Sequence, residues 1–192
     1  MNKLKLYNIT DKYIDYLRTF EKKVFSNKQE DRLKERKYLG VILNMEKYNY
    51  FVPLSSPKNS DYIFDNNGKK TIRKTVPPIM RIISKDINGH DELKGTLKFS
   101  NMIPVPECAL VEYDVEKEKD ENYKILILKE LSFIFSNAKK IINNGTKLYK
   151  QKISGNKNIP YLENTVDFLL LEEKCLIYMQ SYAKGQAACD SD

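Results

Sequence analysis

Apolar and polar residues alternate from the outset in Leu4-Lys5-Leu6-Tyr7-Asn8-Ile9, which predicts an opening strand. Thr10-Asp11 reads as a helix N-cap, and Tyr13, Ile14, Tyr16, Leu17, Phe20 and Val24 follow at helical spacing. Residues 26–36 are polar and charged and predict a loop. The runs 38–43 and 48–54 are strand-like and separated by a short polar connection, so they predict a hairpin, with Pro53 marking an edge or a bulge. Residues 56–77 lack a clear period and contain the turn signal Asn66-Asn67-Gly68. Ile79 to Ile83 predicts a strand, Asn88-Gly89 a turn, and Gly95 to Phe99 a strand pairing back. Met102 to Val105 reads as one more short strand.

From Tyr123 the period becomes helical, with Ile125, Leu128, Leu131, Phe135, Ala138 and Ile142 on one face. Asn144-Gly145 is expected to end or break that helix, a second helix to run from Thr146 to about Ser154, and a third from Thr165 to about Tyr182. No internal repeat is visible. Strands first and helices later predict one α+β domain over residues 1–184, a small, mostly antiparallel sheet with helices packed on it. The small, polar stretch 185–192 reads as a tail.

Composition narrows the choice of function. The chain has 192 residues, a formal charge of +7 and a single histidine, His90. One histidine excludes a two-histidine nuclease and a histidine-rich metal cage within one chain. The cysteines, Cys108, Cys175 and Cys189, have no paired spacing, so neither a disulfide framework nor a zinc site is indicated, and no cofactor motif is present. Without a signal peptide or a membrane-length apolar run, a reduced, cytoplasmic protein is expected. The excess charge points to an anionic partner, most economically nucleic acid. It is unevenly placed: residues 123–158 hold eight lysines against one acid, Glu130, and acidic blocks alternate with basic ones. That alternation suggests a basic groove with an acidic rim.

The candidate chemistry lies at Leu54-Ser55-Ser56-Pro57-Lys58, directly after a predicted strand. Two hydroxyls and an ammonium at the end of a rigid element can hold a phosphate, although the same residues also make an ordinary turn. Arg36 and Lys37 precede the first strand of the hairpin, and antiparallel pairing places them beside Ser55, Ser56 and Lys58. Hydroxyls and cations without a histidine suit RNA cleavage by the adjacent 2′-hydroxyl, where the need is to position the phosphate and stabilise developing negative charge.

At these residues the chain resembles the ToxN/AbiQ family, the endoribonuclease toxins of type III toxin–antitoxin systems. The resemblance rests on Tyr13-Ile14-Asp15-Tyr16-Leu17, Arg36-Lys37-Tyr38-Leu39-Gly40-Val41, Tyr50 to Lys58, and Leu97 to Val105 with its Met102-Ile103-Pro104. The segment from Tyr123 to Tyr149, with Lys129-Glu130-Leu131, is similar to the family's long helix. It implies an SH3-like β-barrel core of the MazF/CcdB/Kid type with added helices. It also implies sequence-selective, metal-independent cleavage that leaves a 2′,3′-cyclic phosphate, inhibition by an RNA pseudoknot encoded in repeats, and a closed protein–RNA hetero-oligomer active in phage abortive infection. The family's central serine falls on Ser56, its preceding hydroxyl on Ser55, its lysine on Lys58 and its basic residue on Arg36. An active-site tyrosine of some members has no counterpart, because Arg32-Leu33 stands in that region.

On this reading Ser56 contacts the scissile phosphate or the 2′-hydroxyl, Ser55 supports it, Lys58 and Arg36 neutralise the phosphorane, and Lys37 assists. A second set, Arg32, Lys69, Lys70, Arg73, Lys74, Lys139, Lys140, Lys147, Lys150 and Lys152, is expected to hold RNA through phosphate contacts. Two other classes fit the same composition: an RNA-binding protein without catalysis, and a CcdB-like toxin that acts on a protein.

Overall fold

The strand pair Tyr38–Met45 (β2) and Tyr48–Ser55 (β3) forms the centre of the fold, and its interior positions are almost all apolar because it is covered on both faces. The computed structural model describes residues 4–27, 35–45, 48–155 and 158–189. β2 and β3 pair antiparallel from Tyr38 opposite Pro53 to Met45 opposite Tyr48, with an irregularity between Leu39 and Leu43. Lys5–Ile9 (β1) joins the other edge of β2, and Leu110–Glu112 (β9) joins β1. Ile79–Lys85 (β6) and Asp91–Lys98 (β7) form a second hairpin around the turn at Asp86–His90, and β7 pairs with the end of β3. Ile103–Pro104 (β8) pairs with β3 earlier along its length.

The sheet therefore runs β6-β7-β3-β2-β1-β9. Its outer strands, β6 and β9, do not pair with each other, so the described strands form an open antiparallel sheet and not the closed barrel that the resemblance implies. Pro53 does not fall at the bulge. It lies on β3 between Phe51, which pairs with β8, and Leu54, which pairs with β7, so its missing N–H faces a gap in the pairing, a local edge. Tyr62–Phe64 (β4) and Lys70–Ile72 (β5) make a separate small hairpin within the stretch that showed no period.

Four helices cover the sheet. Asp11–Phe20 (α1) buries Tyr13, Ile14 and Leu17, as its spacing predicts, but it leaves Phe20 about half exposed and ends before the buried Val24. Glu121–Ser136 (α2) starts at Asp120, whose carboxylate accepts the Tyr123 N–H at 3.0 Å. Its buried face differs from the expected one. Ile127, Glu130 and Ile134 face inward, whereas Ile125, Leu128 and Phe135 are about half exposed. Gly95 on β7 explains the choice, since its missing side chain leaves room for the Glu130 carboxyl.

Ala138–Ile153 (α3) runs unbroken through Gly145, and the break falls instead at Asn137, whose amide caps the Phe133 carbonyl. Gly145 is a contact point and not a terminator: a Cβ there would lie 3.1 Å from Ile42 Cδ1, so glycine lets α3 approach β2 closely. Phe168–Cys189 (α4) extends five residues into the expected tail. Its Glu172 carboxylate accepts the Tyr50 and Tyr149 hydroxyls, each at 2.8 Å, above rings that pack with Phe168. No helix among the described residues is long and apolar enough to cross a membrane.

Gly40 governs the closest approach within the central pair. A Cβ at this position would fall inside the buried Phe51 ring, which has no open space to move into. Gly40→Ala should lower the unfolding free energy by about 1–3 kcal/mol, read as a fall in urea midpoint at unchanged slope.

Candidate functional site

The register of β2 and β3, continued two residues outward, sets Arg36 opposite Ser55. The Arg36 guanidinium is buried, donating from Nη1 to the Leu54 carbonyl at 3.0 Å and to Ser55 Oγ at 2.8 Å. It also lies over the Phe25 ring, 4.4 Å from the centroid. Ser56 and Lys58 follow immediately and are exposed. The strand end thus presents an exposed hydroxyl and an ammonium beside a hydroxyl already fixed by a buried cation. Three of the four expected catalytic residues therefore stand within four positions of one another, and the fourth, Arg36, is bonded to one of them.

Beyond Lys58 the chain turns through Asn59–Asp61 and buries the Asp61 side chain, which is 1% exposed. Asp61 Oδ2 accepts the Lys58 N–H at 3.0 Å, and Oδ1 accepts Arg81 Nη2 at 3.0 Å. Arg81 comes from β6, directly opposite Thr96 of β7, which is itself opposite Ser55. Lys98, two residues after Thr96, shares that face of the sheet. Its Nζ stands 4.0 Å from Asp61 Oδ1. Burial holds the Lys98 amine below the usual lysine range; Asp61 opposes the shift, while Arg81 and Lys58 add to it.

Sequence reading missed Asp61, Arg81, Thr96, Lys98 and Phe25. One signal was available: Arg81 is a charge in the middle of the apolar run Ile79-Met80-Arg81-Ile82-Ile83, where only a buried partner makes it tolerable.

The remaining candidates separate into groups. Lys37 turns its side chain away from Ser55, because neighbouring strand residues point to opposite faces. Its Nζ donates to Asn8 Oδ1 at 2.8 Å and lies over the Tyr113 ring, although its carbonyl accepts the Leu54 N–H. Lys69, Lys70, Arg73 and Lys74 are exposed on or beside the β4–β5 hairpin, which is rooted in the site through the Arg73 N–H bond to the Asp61 carbonyl. The Lys74 carbonyl accepts from Arg81. Lys139, Lys140, Lys147 and Lys150 are exposed on α3, whereas Lys152 is half-buried and ties α3 to the Leu162 carbonyl at 2.9 Å. Arg32 lies outside the described residues. His90 is exposed in its turn. No group of three metal-ligating side chains occurs among the described residues.

An open basic sheet that presents hydroxyls and buried cations at one strand end defines a protein suited to holding a phosphate ester. Residues 5–176 match the family described as Toxin ToxN, type III toxin–antitoxin system, and the chain belongs to that family. It is 33% identical over 175 residues to the endoribonuclease AbiQ of Lactococcus lactis subsp. lactis, covering 91% of this chain and 89% of that protein. It is 31% identical to the endoribonuclease ToxN of Bacillus thuringiensis subsp. kurstaki, covering 92% and 84%. Among solved structures, a bacterial type III toxin inhibited by a non-coding RNA pseudoknot superposes with a TM-score of 0.74 at 30% identity, over 93% of this chain and 99% of the other. The anti-phage endoribonuclease AbiQ superposes with a TM-score of 0.71 at 29% identity, again over 93% and 99%.

Behind the site, on the opposite face of the sheet, the Glu130 carboxyl fills the space above Gly95, a position also bordered by the Ser55 carbonyl. Burial raises its pKa from 4.5 to about 8. Between these values the folded chain keeps a proton that the unfolded chain has released, so stability falls as pH rises through that window and levels off above it. Glu130→Gln removes the titrating group. From pH 5 to pH 8.5 the variant should gain on the order of 4 kcal/mol relative to the parent, measured by urea unfolding. A constant difference across that range would show that the carboxyl is solvated.

Proposed function

We propose that this chain is a sequence-selective endoribonuclease toxin, cleaving RNA without a metal ion by attack of the 2′-hydroxyl on the adjacent phosphorus and leaving a 2′,3′-cyclic phosphate. Its inhibitor is a repeat-encoded RNA pseudoknot, held in a closed protein–RNA hetero-oligomer, and the system acts against phage. The observation that carries this reading is the buried Arg36–Ser55 hydrogen bond at the strand end that also presents Ser56 and Lys58.

Ser56 binds the scissile phosphate or the 2′-hydroxyl. Ser55 Oγ accepts from Arg36, which fixes the hydroxyl and aims its own proton elsewhere. Arg36 and Lys58 stabilise the charge that develops on the phosphorane, the task a metal would otherwise perform. The exposed cations of the β4–β5 hairpin and α3 hold RNA through its phosphates. Lys37 and Lys152 support the surface less directly, since each is already engaged within the protein.

Ser56→Ala should reduce kcat for RNA cleavage by about 100- to 1,000-fold in EDTA and abolish growth arrest, with binding of the pseudoknot RNA retained. Full activity in that variant would overturn the serine's role, and absence of cleavage by the parent would leave a binding protein without catalysis. Affinity for RNA should fall linearly on a log–log plot as salt rises, with a slope of about 0.7–0.9 per phosphate neutralised. Replacing Lys69, Lys70, Arg73 and Lys74 by Gln should flatten that slope; a response that is already flat would remove the basic surface from the reading.

A further inference from the structure

The Asp61 carboxylate is surrounded by more positive charge than it can balance. Arg81 occupies one oxygen and the Lys58 amide the other, each at 3.0 Å, which leaves the Lys98 ammonium 4.0 Å away and beyond hydrogen-bond reach. The Lys98 side chain is only 14% exposed and has no hydrogen-bond acceptor among the described residues. Arg81 Nε is likewise buried without a partner among the described residues. A buried ammonium in this position is relieved in two ways: by an anion arriving beside it, or by losing its proton. An RNA phosphate supplies such an anion, and an amine that has lost its proton can take one from the adjacent 2′-hydroxyl.

We propose that Lys98 is a further catalytic residue, whose Nζ, on the sheet face shared with Ser55, Thr96 and Arg81, accepts the proton of the attacking 2′-hydroxyl. This inference rests on the reading of the chain as an RNA-cleaving enzyme and supplies the base that reading lacks. The arginines of the site cannot serve, because a guanidinium does not give up its proton in proteins. Lys58 is exposed at the strand end, where it is placed to meet the leaving 5′-oxygen.

In the step, the 2′-O–H bond breaks and its proton joins the neutral Lys98 amine, while the 2′-oxygen bonds to phosphorus. The bond from phosphorus to the 5′-oxygen breaks with its electron pair, and the Lys58 ammonium donates a proton to that oxygen. The products are a 2′,3′-cyclic phosphate and a 5′-hydroxyl; Lys98 and Lys58 then exchange protons with water. Asp61, Arg81 and Lys58 are the charged groups facing Lys98, and all three remain in place in the variants below.

The test is single-turnover cleavage of a defined RNA by the full chain from pH 5.5 to 9.5 in EDTA, using Lys98→Met and Lys98→Arg. Binding is followed separately with the same RNA carrying a 2′-O-methyl group at the scissile position. The parent rate should rise with pH and then level. Both variants should lose about 100-fold or more in rate, with the rising limb gone and the affinity for methylated RNA changed less than about threefold. Arg keeps the positive charge, so its failure to restore the rate separates proton transfer from phosphate binding, and it decides the question if Lys98→Met does not fold. A variant that retains the parent's pH profile, or one that weakens binding while the bound rate is preserved, overturns the inference. Failure of the parent itself to cleave in EDTA would instead overturn the reading on which it rests.

Discussion

Burying the Asp61 carboxylate is costly, and its geometry shows how the cost is offset. One oxygen receives the Arg81 guanidinium and the other receives the Lys58 backbone N–H. Removing either partner would leave an ion stranded in the interior, so this pair holds the turn after β3 in one position relative to β6. Everything chemically interesting depends on that. Lys58 belongs to the turn, Ser55 and Ser56 lead into it, and the β4–β5 hairpin leaves from it through the Arg73 N–H bond to Asp61. Arg36 fastens the other side of the same strand end. Two buried arginines from different elements thus fix a surface segment that would otherwise be an ordinary loop.

Much of the framework could be read from residue patterns. The β2–β3 hairpin and the α1 face follow from alternation and helical spacing, because each buries a continuous apolar set, and the turn before His90 follows from Asn88-Gly89, whose glycine takes a positive φ. The pairing rule for antiparallel strands also brought Arg36 to Ser55. It failed for Lys37 because it locates the backbone, whereas the side chain of the next residue points to the opposite face.

The helices were less legible, for a physical reason common to several positions. Gly145, in a periodic apolar stretch, reads as a stop, but it and Gly95 act as sockets. One admits Ile42 against α3 and the other admits the Glu130 carboxyl from α2. Whether a glycine ends an element or receives a neighbour depends on what packs against it, and that is set by residues a hundred positions away or by the sheet beneath. The same dependence hid Asp61 and Lys98. Asp61 lies in an aperiodic stretch, and Lys98 looks like the polar alternate of a strand until Arg81 is placed beside Thr96.

The order of strands has a consequence for how the molecule is made. β3, which carries Ser55, is paired on one side by β2, its neighbour in sequence, and on the other by β7 and β8, which follow much later. A chain emerging from the ribosome can form the β2–β3 hairpin early, yet Arg81, Lys98 and the α2 cover are still to be synthesised. Long-range pairing of this kind is slower to form than a hairpin between neighbouring strands. The topology therefore holds the strand end incomplete until β6 and β7 have followed the hairpin, because the β2–β3 pair alone lacks the arginine that Asp61 needs as a buried partner.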